Sequence, residues 1–286
     1  MATYTAPPKE STRLAAPDNV RHDAYWIAPA ATIATFLIFI VYSTIRAFQG
    51  KYFATHFEQY HFAWAAQSLL NVGAIQPHYW SPFYSPYIPL HWNFPIVNFP
   101  ISASLYVLVF PLSFRGSCYY CRKAYYRAIF QDPGACAVKE ALVKKNYTGE
   151  KKFPFNLVNF HRYTLYAAII LVFFHWHHMY DSFFYTKVGE GEHFGVGFGT
   201  LLFTLDTILL SAYTFSCHSF RHLVGGIVNR FSSSSGSKVR YGLWDKVTKL
   251  NNYHGQFFWA SLITVGLTDL YVCLVSSGII TDLRFF

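Results

Sequence analysis

Apolar residues run in five stretches long enough to cross a bilayer core, which at about 30 Å takes roughly 20 helical residues. They cover 24–48, 94–114, 156–184, 195–220 and 253–280. The second is interrupted by Pro95, Pro100 and Pro111, which membrane helices tolerate where neighbours satisfy the freed carbonyls. The pattern predicts an all-α integral membrane protein: a bundle of five transmembrane helices forming a single domain over 24–286, after a polar segment at 1–23. The loop after the first stretch divides in two. KYFATHFEQYHFAWAAQSLL (51–70) has the composition of an interfacial helix lying on the membrane. WSPFYSPYIPLHW (80–92) reads as an aromatic interfacial segment.

Charge orients the bundle. Lys and Arg number three in 1–23, nine in 115–152 and six in 221–249. The alternate loops hold only Arg46 with Lys51, Lys187, and Arg284. The positive-inside rule then puts the N-terminus in the cytoplasm and the C-terminus on the outer side of the membrane. The whole chain is 53% hydrophobic and only 13% charged, so its net charge of +9 marks cytoplasmic loops rather than a nucleic-acid surface.

This topology gathers cysteines and histidines. Cys118 and Cys121 follow the second span, Cys136 lies in the next loop, and His161 opens the third span. Cys217, His218 and His222 end the fourth span and His254 opens the fifth, all at the cytoplasmic face. Thiolate and imidazole suit iron–sulfur and zinc sites, and a Rieske-type centre takes two Cys on one iron and two His on the other. If the fourth span stays helical, His218 and His222 share a face and Cys217 points about 100° away from His218. Cysteine as a small buried hydrophobe is the alternative, and Cys273 reads that way. The outer side holds a second group, His56, His61, His78, His91, His175, His177, His178 and His193. A b-type haem there is conceivable, and interfacial aromatics are the plainer reading.

Four segments carry a resemblance: PLSFRGSCYYCRKAYYRAIFQDPGACAV (111–138), FPFNLVNFHRYTLYAA (153–168), LSAYTFSCHSFRHLVGG (210–226) and LNNYHGQFFWASLITVGLTDLYV (250–272). They resemble the membrane anchor subunit of succinate dehydrogenase of the actinobacterial type, over roughly 94–275. The resemblance implies a flavoprotein subunit and an iron–sulfur subunit bound on the cytoplasmic face. Electrons from succinate would pass to a membrane quinone, menaquinone or ubiquinone. It further implies a haem-free anchor whose haem is replaced by a membrane-embedded Rieske-type [2Fe–2S] cluster. Phe220 stands where relatives are expected to have a second Cys, and Cys121 where a Tyr is expected. Cys118, Cys136 and Cys217 then compete for two thiolate places, and His161, His218, His222 and His254 for two imidazole places.

The quinone head is expected between the cytoplasmic ends of the last three spans, near Arg162, Tyr163, Arg221 and Trp259. Arg115, Arg122, Lys123 and Arg127, interleaved with tyrosines, are expected to seat the iron–sulfur subunit. Asp206 and Asp269, the acids best embedded in the spans, read as hydrogen-bonded braces between helices rather than as a proton path. The competing functions are a haem-binding cytochrome b anchor and a five-span transporter. The latter is favoured only by the proline-broken second span and Asp206.

Overall fold

The computed structural model describes residues 24–55, 75–86, 103–131, 155–187, 189–226, 230 and 234–286. Among these, four helices are long and apolar enough to cross a membrane: α1 (Ile27–Gln49), α4 (His161–Asp181, continuing a 3-10 turn at Phe155–Phe160), α5 (Phe198–Phe215) and α8 (His254–Ser276). The predicted second span appears as α2 (Ala103–Ser117), whose apolar run Val107–Ser117 is shorter. The first part of that span, 94–102, lies outside the described residues, as do 1–23, Cys136, His56, His61, His91 and most of the predicted interfacial helix.

Three short polar helices flank the spans: α3 (Tyr119–Ala128), α6 (His218–Gly225) and α7 (Ser235–Asn251). The predicted fourth span therefore does not run to 220. It stops at Phe215, and Cys217 takes an extended conformation (φ −72°, ψ 154°) that restarts the chain as α6. Nor is the fold all-α. Ile75–Pro77 (β1), Phe184–Lys187 (β2) and Gly191–Phe194 (β3) form an antiparallel sheet in the order β1-β2-β3. The hairpin turns through Gly189 and Gly191, both at positive φ, which glycine adopts without steric cost.

The described part of the aromatic segment predicted to be interfacial, 80–86, packs into the core: Ser81, Phe83, Tyr84 and Ser85 are all 2% exposed or less, as is Tyr79 just before them. Residues 87–92 lie outside the described residues. Non-helical backbone is tolerated in a membrane protein where protein buries it, as it does for this stretch. Its Ser81 hydroxyl donates to Asp269 on α8, and Tyr84 Oη donates to the Arg46 carbonyl on α1 (3.2 Å). Arg46 and Asp269 form an ion pair at 2.7 Å with side chains 3% and 0% exposed. Arg46 thus drops out of the loop charges, leaving Lys51 alone between the first two spans. Asp206 accepts from Thr264 across α5 and α8 at 2.9 Å. Both acids brace helices to their neighbours, as their placement predicted.

Helices α5 and α8 carry small polar side chains in the bundle interior. Thr200, Thr207 and Thr214 on α5 and Ser261, Thr264 and Thr268 on α8 are all buried, residues small enough for membrane helices to approach closely; Thr200 donates to the Ser182 carbonyl (2.7 Å) and Thr207 to that of His175 (3.5 Å). At Gly199 a Cβ would lie 2.3 Å from the Tyr79 ring. That ring is pinned by a 2.8 Å bond to Asp282 and by stacking on Phe203. Gly199→Ala is therefore expected to cost about 1–3 kcal/mol through overpacking. The cost reads out as a lower unfolding temperature of the detergent-solubilised complex; an unchanged temperature would mean the 79–85 segment yields.

Candidate metal centre

Two cysteines stand at equivalent places. Cys118 caps the N-terminus of α3 and Cys217 that of α6, both with extended backbone. Each begins a short helix just where a span ends, where the N–H groups of a first turn lack partners in the helix. Cys217 Sγ accepts from the backbone N–H of Phe220 at 3.2 Å. Cys118 makes no such capping bond, and its Sγ instead faces His254. Both thiols are 1% exposed or less and belong to one buried cluster with Cys121, Leu165, Tyr213 and Phe258. Position 220, expected as a Cys in relatives, contributes its backbone to this thiol.

Two histidines face the same cluster. His254 opens α8 with Nδ1 2.7 Å from Ser216 Oγ and Nε2 3.4 Å from Cys118 Sγ. The Ser216 hydroxyl donates to the Tyr213 carbonyl (3.1 Å), so it accepts from His254 Nδ1–H, which leaves the Nε2 lone pair toward the thiol. His161 opens α4 with Nδ1 3.1 Å from the Phe114 carbonyl and 3.1 Å from Ser117 Oγ. The carbonyl can only accept, so Nδ1 carries the proton and Nε2 is again the free nitrogen. Phe114 stacks on His161 at 4.5 Å and Tyr213 on His254 at 5.0 Å. Hydrogen bonding one imidazole nitrogen fixes the other as a ligand atom.

His218, exposed at the start of α6, lies close enough to act electrostatically on both buried imidazoles. His218 and His222, both exposed, line one surface cleft with Arg221, Gly226 and Trp244, on the shared face that their spacing predicts. Cys217 is buried while His218 is exposed, so the two point apart, although the helix begins only at His218.

The expected quinone residues separate. Trp259 lines a groove of about 260 Å³ with Ala28, Thr32, Tyr120, Lys123 and Arg127. Arg221 is engaged with α7, its Nε donating to Thr248 (2.9 Å) and its guanidinium over Trp244. Arg162 and Tyr163 are exposed and do not line that groove. Two arginines of the expected docking seat are buried. Arg115 donates to the Phe258 carbonyl (3.0 Å) and Ser261 Oγ (2.8 Å). Arg122 lies against the rings of Tyr119 and Tyr126. Lys123 is left exposed on α3.

Residues 27–278 match the family model of the actinobacterial succinate dehydrogenase subunit SdhC. The chain is 38% identical to a chain of the solved Mycobacterium smegmatis Sdh1 complex in the apo form, with a TM-score of 0.74 over 97% of this chain and 98% of that one. No curated protein matches it. With a matched family model over most of its length and four helices able to span a bilayer, the chain belongs to the actinobacterial SdhC family and is a multi-pass membrane subunit of a bacterial succinate dehydrogenase complex.

Proposed function

We propose that this subunit carries electrons from its partner subunits to a membrane quinone, through a Rieske-type [2Fe–2S] cluster held by Cys118, Cys217, His161 and His254. The observation that carries this reading is the pairing of two buried thiols at helix N-termini with two buried imidazoles whose Nδ1–H groups are already engaged. Such a donor set offers two sulfurs and two nitrogens to metal. The Phe220 N–H directed at Cys217 offsets part of the charge that thiolate ligation brings. A cluster of this ligation supplies a one-electron carrier at about −150 to +300 mV, against about −400 mV for plant-type ferredoxins. The higher range suits a quinone acceptor.

The quinone fits the groove at Trp259. Tyr120, which lines it, meets His254 edge-to-face at 5.3 Å, so a head group there is one ring from the metal centre. Lys123 and Arg127 at the same groove give it polar edges. An apolar trough of about 370 Å³ between α1 and α8, lined by Phe39, Leu262, Ile263 and Gly266, continues along the same two helices and suits an isoprenoid tail. The charge asymmetry supports five crossings with a cytoplasmic N-terminus. The flavoprotein and iron–sulfur subunits then bind the face that carries α3, α6 and α7. The cavity that His175 lines is about 70 Å³, a volume for a few waters rather than a haem at that residue.

An EPR spectrum of the purified, dithionite-reduced complex tests the proposal. A [2Fe–2S] signal beyond those of the iron–sulfur subunit is expected, with iron in matching excess. A complex with no additional signal and no additional iron would overturn it.

A further inference from the structure

The bundle interior holds a cavity of about 70 Å³ between α2, α4, α5, α8 and the segment ending at Ser85. It follows α4 for two turns, from Ala168 to His175, about 10 Å at 1.5 Å per residue. Its walls are apolar except at the two ends. Arg115 and Tyr213 line it toward the Cys/His centre, and Ser85 and His175 line it on the opposite side. Ser85 Oγ and Tyr213 Oη are buried without a hydrogen-bond partner. Buried polar atoms of that kind mark ordered water where the space is large enough and two to four polar groups converge. Both conditions hold here.

His175 completes the arrangement. Its Nδ1 is 2.8 Å from the Leu171 carbonyl, which can only accept, so Nε2 is the nitrogen left to exchange a proton. One turn further along α4, His178 is close enough to act electrostatically on His175. His178 Nδ1 is 3.6 Å from Asp181 Oδ2, and exposed His177 holds the same carboxylate at 2.9 Å. Residues 175, 178 and 181 recur at three-residue spacing and so form one stripe. The stripe joins the cavity to the face opposite the metal centre.

We propose that this stripe and a hydrated cavity form a proton route through the bundle to the quinone end, with His175 as its relay. The proposal rests on the reading that quinone is reduced beside His254. Reducing quinone to quinol takes two electrons, supplied by succinate oxidation, and two protons. Each proton passes from His175 Nε2 to cavity water and on past Arg115 and Tyr213, and is replaced at His175 from His178 and Asp181. The titratable or charged groups facing the cavity are His175 on α4, Arg115 on α2 and Tyr213 on α5; α8 contributes Val265 and the loop Ser85. Asp206 does not line it.

The complex reconstituted in liposomes with quinone tests this. Succinate added outside selects complexes whose soluble subunits face outward. A pH dye trapped in the lumen is expected to report alkalinisation with turnover. His175→Gln keeps the polarity and cannot relay a proton by protonation. It should slow luminal alkalinisation on the order of a hundredfold, while succinate oxidation by a soluble dye acceptor stays unchanged. Turnover by wild-type complex with a constant luminal pH would overturn the route. If the complex oxidises succinate with dye but fails to reduce quinone, the functional reading fails instead, and the cavity is still decided by a high-resolution cryo-EM map. Water density bonded to Ser85 Oγ and Tyr213 Oη supports the route, and a dry cavity overturns it.

Discussion

Complexes carrying His254→Ala are expected to lose quinone reduction by at least two orders of magnitude while oxidising succinate normally with a soluble dye. The dye takes electrons upstream of this subunit, so the two assays separate loss of the relay from loss of assembly. His254 is the strongest probe because its environment has a single arrangement: Nδ1 committed to Ser216, ring stacked on Tyr213, Nε2 directed at Cys118. Cys118→Ser should act alike. Ser216→Ala removes only the group that orients the imidazole, and second-shell losses of this type run at roughly 10- to 100-fold. Its expected effect is thus intermediate, with the additional EPR signal weakened rather than abolished. His222→Ala, on the exposed cleft side of α6, should stay within about twofold of wild type, as surface changes away from a site generally do. A His222 variant as damaged as the His254 variant would move the centre toward α6.

How much of this site the sequence made visible depended on which physical rule governed each residue. Span positions follow from apolar run length, so α1, α4, α5 and α8 were legible to within a few residues. Topology gathered Cys118, Cys136, Cys217, His161, His218, His222 and His254 at one face without choosing among them, and the choice of Cys118, His161, Cys217 and His254 rests on their burial and partners. The break at Cys217 was hidden. A cysteine N-cap inside an apolar stretch carries none of the Ser, Thr, Asp or Asn signature of a helix start, so 195–220 read as continuous. The exposure of Arg162 and Tyr163 has a reason the sequence did contain. Residues one and two after an inward-facing His161 are rotated by about 100° and 200° on a helix, and so turn outward. The described part of 80–92, residues 80–86, was misread because aromatic and proline-rich composition suits both a membrane interface and a buried plug. Only its contacts with Arg46 and Asp269 decide between them. The hairpin of β2 and β3 was passed over as loop, its strands being only four residues each.

Removing either partner of the Arg46–Asp269 pair is expected to be the most destabilising single change in this subunit. Asp269 accepts from Arg46 Nε (2.7 Å) and Nη2 (3.2 Å), from Tyr42 Oη (2.5 Å) and from Ser81. Arg46 also donates to Gln49 and to the Lys51 and Tyr52 carbonyls. One buried pair therefore ties α1, the segment after it, the 79–85 plug and α8 together. Asp269→Ala strands a buried guanidinium, and breaking a pair of this kind costs about 3–5 kcal/mol. Asn at 269 keeps hydrogen-bonding atoms but not the charge, so it leaves Arg46 uncompensated too and should rescue little. Replacing both partners, with Arg46→Leu and Asp269→Leu, removes the charges together and should recover much of the loss, because desolvating the pair was itself costly. Detergent-extracted complex yield and unfolding temperature provide the measurement: low for each single variant, nearer wild type for the double. A double variant no better than the singles would mean that the hydrogen bonds to Tyr42, Ser81 and the 51–52 carbonyls, rather than charge compensation, hold α1 to the bundle.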